Sequence, residues 1–218
     1  MRTRDLTPKR TIEKHRAFYD RIQKEIAASE IKLKNARSRK GLYKPFYQEF
    51  KVLLDYATLK YGDKDNISFK WVGAKQQGKR LNYDGEIYLK NKLIEKVEVT
   101  APLRSAKDRA IAKDLYEKGS SKVVVGNLKE KLDENNLLIE IMTLKKNSMN
   151  SYDETITLVV YMEDMKYYYA SLATYKKSLK KLENDLKEIL YQFKEVYIIE
   201  NIYMYSKKKL IKIKWTSY

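Results

Sequence analysis

The sequence predicts a mixed α/β (α+β) fold, in which helices flank a mixed β-sheet. Three observations carry that reading. Apolar residues repeat at three-four spacing near both ends of the chain, as a helix with one buried stripe requires. Between those stretches the period drops to two, with β-branched and aromatic residues bounded by Gly, Asn and Asp. An apolar content of 43% in 218 residues is enough for a packed core. The expected order is α-α-β-β-β-α-β-α-β-α-β-β, with residues 1–40 as a basic helical extension and 41–218 as the α/β domain.

Residues 8–39 read as one long helix. Thr7 is the candidate N-cap and Pro8 takes the first helical position. Ile12, His15, Tyr19, Ile22, Ile26 and Leu33 form a narrow apolar stripe on this basic rod, and Gly41 and Pro45 mark its end. A second helix over about 45–61 carries Phe46, Phe50, Leu53, Leu54 and Ala57 inward, and Gly62-Asp63 closes it. Residues 67–74, 80–89 and 93–100 alternate as three strands of an antiparallel meander, broken at 75–79 and 90–92 and ended by Pro102. A helix over 105–118 stops at Gly119, a short strand follows at 122–125, and 127–146 reads as helical. Residues 156–162 form a buried apolar strand. In 165–193, Leu172, Tyr175, Leu179, Leu182, Leu186, Ile189 and Phe193 keep a heptad spacing. That spacing fits a coiled-coil seam, which would support a homodimer, and fits equally a long helix lying on the sheet. Strands at 196–200 and 210–215 close the chain.

Charge and missing residue types narrow the chemistry. With 46 Lys+Arg against 29 Asp+Glu the formal charge is +17, and residues 1–40 hold 13 of those bases against 5 acids, a net of +8. Further clusters lie at Lys75, Lys79 and Arg80 and along 207–214. Such a field attracts polyanions, of which nucleic acid is the commonest; the plain alternative is the solubility of a Lys-rich surface. Arg10 and Lys14 on the first helix and Lys75, Lys79 and Arg80 are the expected phosphate contacts. There is no cysteine and one histidine, so thiol chemistry, cysteine metal sites and a His-based triad are disfavoured. Catalysis would then rest on carboxylates, lysines, hydroxyls and bound metal. No apolar run reaches the roughly 20 residues of a membrane span, and the N-terminus lacks the apolar stretch of a secretory signal, so the expectation is a cytoplasmic protein without membrane partners.

The informative stretch is Asn82-Tyr83-Asp84-Gly85-Glu86-Ile87-Tyr88-Leu89, followed by the strand that carries Glu95-Lys96-Val97-Glu98-Val99-Thr100. Alternation puts Asp84 and Glu86 on one face of their strand and Lys96, Glu98 and Thr100 together on one face of the next. A carboxylate between valines on a buried strand is costly unless it is paired or holds a cation. Two carboxylates on neighbouring strands can hold Mg²⁺ (or Mn²⁺), whose remaining ligands are water and phosphate.

An Asp in a strand, a short turn and a hydrophobic strand bearing Glu, then a helix and a strand, together resemble the PD-(D/E)XK nuclease superfamily of restriction-endonuclease-like enzymes, over roughly residues 44–162. The resemblance implies a Mg²⁺-dependent nuclease acting on double-stranded DNA in a bacterial or phage-infected cell. It implies Asp84 and Glu98 as metal ligands, with Glu49 as the helix acid and Glu86 as a further ligand. Helix 105–118 would contact DNA through Lys107, Arg109 and Lys113. Thr100 stands where the family has its signature Lys; Lys96, two residues before Glu98 on the same face, is the replacement that could serve the attacking water, with Thr100 assisting. The alternatives are a nucleic-acid-binding or assembly protein that kept the fold and lost catalysis, and an adaptor that binds protein through its helical stripes.

Overall fold

The computed structural model describes residues 2–62, 64–73, 75–76, 79–80, 83–101, 136, 138–140, 142–143, 155–163, 172–190, 193–202 and 207–213. Helix 105–118 with Lys107, Arg109 and Lys113, and strand 122–125, lie outside the described residues. The fold is mixed α/β. Seven strands take the order β1 (Arg10–Thr11), β2 (Ile67–Trp71), β5 (Gly85–Leu89), β6 (Lys92–Thr100), β7 (Ile156–Glu163), β8 (Glu195–Ile202), β9 (Lys207–Ile213), and β3 (Lys75–Gln76) pairs separately with β4 (Lys79–Arg80). The chain divides into two compact units, Met1–Lys96 with Arg104–Val124 and Val97–Leu103 with Val125–Tyr218, so β6 contributes to both.

In the first unit the expected single N-terminal helix is three helices and a short strand: α1 (Thr3–Leu6), β1, α2 (Ile12–Ala27) and α3 (Glu30–Arg37). Thr11, not Thr7, caps α2, its hydroxyl accepting from the Lys14 amide, while Arg10 and Thr11 pair with Phe69 and Ser68 of β2. The second break falls at Ser29, which is extended at φ −138° and caps α3 through the Lys32 amide. Serine competes with the helix by bonding nearby backbone, and beyond it only Ala36 of α3 is buried, too little to hold a straight rod. Residues 1–40 are therefore packed into the first unit rather than appended to it. The α2 stripe is buried at Ile12, His15, Phe18, Ile22 and Ile26. His15 stacks on Phe69 with ring centroids 3.9 Å apart, and Phe18 meets Phe50 edge-on at 5.7 Å.

The second predicted helix is present, with detail the periodicity did not carry. A short turn, α4 (Tyr43–Pro45), leads into a π-helical segment, Phe46–Phe50, and then α5 (Lys51–Tyr61). The wider π turn lets Phe46 and Phe50 stack at 5.6 Å and both become fully buried. Each such ring contributes about 2–3 kcal/mol by leaving water. Gly62 ends α5 at φ +65°, a left-handed value that glycine adopts without strain. Strands β2 and β5 are antiparallel, with Phe69 opposite Ile87 and Trp71 opposite Gly85. Lys90 and Asn91 link β5 to β6 with φ of +46° and +71°, the positive pair that a tight hairpin turn needs.

In the second unit β7 runs parallel to β8, and β8 antiparallel to β9. Helix α6 (Leu172–Leu190) connects the parallel pair, as a crossover must. Leu182 and Leu186 of its heptad positions are buried within the chain, together with Leu158, Val160, Val196 and Ile198 of the strands. Leu182 and Leu186 are therefore not open to a partner helix.

Candidate functional site

Two anchors from α5 assign the faces of the first unit's strands. A Cβ at Gly85 would lie 2.7 Å from both terminal methyls of Leu53, so Gly85 faces α5. Trp71, opposite Gly85, shares that face, and its indole Nε1–H donates to Glu49 Oε2 at 2.9 Å. Glu95 also faces α5: Oε1 accepts from Tyr56 Oη and Lys60 Nζ, each at 2.8 Å, and Oε2 accepts from Tyr61 Oη at 2.6 Å. By alternation Glu86 and Lys96 point to the other face, while Asp84 sits at a bend just before β5. Glu49 is thereby separated by the sheet from Glu86, because its helix turns that side chain onto the indole.

The outer face centres on Glu86. Tyr83 donates to Oε1 at 3.0 Å and Tyr88 to Oε2 at 2.5 Å, while Lys70, directly opposite in the register, has Nζ 3.9 Å from Oε2. Burial first, and then the Glu86 carboxylate, raise the Tyr88 phenol well above its ordinary pKa, so Tyr88 stays protonated and donating. Lys96 Nζ lies 5.6 Å from the Tyr83 ring centroid and Lys9 Nζ 4.7 Å from that of Tyr88. Lys9 also donates to Asn91 Oδ1 at 2.8 Å. The result is one acid and two tyrosines ringed by Lys9, Lys70 and Lys96, a surface with net positive charge, phenol rings and ammonium donors. Such a surface can hold phosphates and stack bases.

The other predicted residues are distributed as follows. Asp84 is half-buried at the start of β5, where its carbonyl accepts from the Val72 amide at 2.9 Å. Glu98 and Thr100, in the half of β6 that belongs to the second unit, are each 9% exposed, with Val97 and Val99 buried between and beside them. Among the described residues no three His, Cys, Asp or Glu side chains gather closely enough to hold a metal ion. Glu49 Oε2 accepts the indole N–H, and both oxygens of Glu86 accept from phenols, with the Lys70 ammonium near Oε2. Asp84 belongs to the first unit and Glu98 to the second, and Mg²⁺ sites commonly use one or two carboxylates beside water and phosphate.

Of the expected phosphate contacts, Lys14 is exposed on α2. Arg10 is turned inward: its guanidinium donates to the Asp5 carbonyl at 3.0 Å and lies over the Phe18 ring at 4.9 Å. Lys75, Lys79 and Arg80 fall on the β3–β4 hairpin, where Lys75 stands opposite Arg80 and Gln76 opposite Lys79. The Glu95 cluster was missed by the sequence reading; the spacing of Tyr56, Lys60 and Tyr61 on one side of α5 was its signal. Burial, then the Glu95 hydrogen bond, push the Tyr61 phenol up. No protein-family model, no curated protein and no solved structure matches this chain.

Proposed function

We propose that the protein binds DNA and hydrolyses its phosphodiester bonds with a divalent metal, Mg²⁺ or Mn²⁺, in the manner of restriction-endonuclease-like nucleases. The observation that carries this reading is the common outward face of Glu86 and Lys96, with Lys96 joined to Glu86 through Tyr83. In a chain whose signature Lys position holds Thr100, Lys96 is the ammonium that stands beside the predicted acidic strand. Asp84 and Glu98 would hold the cation, which when bound supplies Lewis-acid polarisation of the phosphoryl oxygen and a lowered water pKa. Lys96 orients the attacking water, Thr100 assists by hydrogen bonding, and Lys9 and Lys70 neutralise the phosphodiester backbone.

A second reading, DNA binding without hydrolysis, is favoured by the hydrogen bonds that Glu49 Oε2 and both Glu86 oxygens already accept. Supercoiled plasmid incubated with Mg²⁺ or Mn²⁺ separates the two. Hydrolysis is expected in wild type and lost at least a hundredfold in Asp84→Ala and in Glu98→Ala, each still binding DNA. Cleavage that survives both substitutions would sink the assignment, and salt-sensitive binding without cleavage in wild type would leave the second reading.

A further inference from the structure

A cavity of about 190 Å³ opens between α2, α3 and the π-helical segment, away from the Glu86 face. Its walls are Ile26, Leu33 and Ala36, and its polar edge is Gln23, whose amide meets the Tyr47 hydroxyl at 3.1 Å. Arg39 stands at the mouth with its guanidinium 4.6 Å from the Tyr47 ring centroid. Pockets for drug-sized ligands run to roughly 300–1,000 Å³, so this one suits a single planar ring.

The backbone at Arg39 supplies an independent argument. Helix α3 ends in the double hydrogen-bonded cap in which Lys40 N donates to the Asn35 carbonyl at 2.9 Å and Arg39 N to the Ala36 carbonyl at 3.1 Å. The residue between those amides takes a left-handed conformation, and the position is ordinarily glycine. Here it is arginine at φ +52°, while glycine occurs two residues later at Gly41. An arginine is thus kept where the backbone favours glycine, and its guanidinium lies over Tyr47.

We propose that this cavity binds a single unpaired nucleotide of a nucleic-acid strand. The base enters between the apolar walls and adds to the Arg39–Tyr47 stack, because every base has a π-face that a guanidinium or aromatic plane can cover. Gln23 and the Tyr47 hydroxyl offer the amide and phenol that a base edge pairs with. Arg37 is a second cation in the lining. The inference rests on the nucleic-acid reading above and adds to it a preference for strand ends or unpaired segments.

The test is fluorescence anisotropy of a labelled thymidine oligonucleotide, with a blunt duplex of equal length as control, in the presence of a chelator to prevent cleavage. Wild type is expected to prefer the single strand. Arg39→Gly should lose about tenfold or more of that affinity while its thermal midpoint stays the same or rises, since glycine suits the cap. Arg39→Lys, which keeps the charge but not the plane, should lose nearly as much. Single-strand affinity within about twofold of wild type in Arg39→Gly, or full recovery in Arg39→Lys, overturns the cavity assignment alone. Wild type that binds neither probe overturns the nucleic-acid reading as well.

Discussion

His15 shows how one side chain couples this fold to pH. Its Nε2 bonds the Phe69 carbonyl at 2.8 Å, so Nε2 carries the proton, and buried Nδ1 has no partner among the described residues. Burial is the main reason its pKa falls to about 4; the Phe69 carbonyl opposes that shift and Arg10 adds to it. The unfolded chain takes up this proton near pH 6.5, the folded chain only near 4. Stability from this group is therefore complete above about pH 6.5 and is lost as pH falls through that window, by about 2 kcal/mol at pH 5. Urea unfolding at pH 7 and pH 5 should show that loss in wild type and little of it in His15→Leu. Equal losses in the two proteins would rule out His15 as the source.

Elements meet most closely where α5 crosses β5. Gly85 is required by contact rather than by φ: the 2.7 Å approach of both Leu53 methyls leaves no room for a Cβ, and Leu53 is itself 1% exposed. Gly85→Ala should cost about 1–3 kcal/mol by overpacking, seen as a lower urea midpoint with an unchanged slope. A midpoint equal to wild type would mean that helix and strand can part at little cost. Most elements were legible from period alone: the helix ending at Gly62, the strands around Phe69, Ile87 and Val97, and the apolar strands of the second unit. The N-terminal rod was not, because continuous three-four spacing also describes two helices whose break is chosen locally by Ser29. The site was half legible. Alternation put Glu86 and Lys96 on the faces where they are found, but the side of the helix that Glu49 occupies depends on Trp71, 22 residues away.

At the scale of the whole molecule the governing quantity is the +17 charge. Binding to duplex DNA should weaken linearly in log–log with salt, with a slope of about −0.9 per phosphate neutralised. Affinity unchanged between low and physiological salt would exclude a phosphate-driven interface. The sequence by itself determined the α/β class, the strand and helix periods, the basic character and the absence of thiol chemistry, because each follows from residue type and local spacing. Only the tertiary structure decided which acids are already occupied. Glu86 is ringed by Tyr83, Tyr88 and Lys70, and Glu95 is held by Tyr56, Lys60 and Tyr61. The physical reason is distance along the chain: Glu95 and Tyr56 are 39 residues apart, and the hydrogen bond between them exists only once α5 lies on β6.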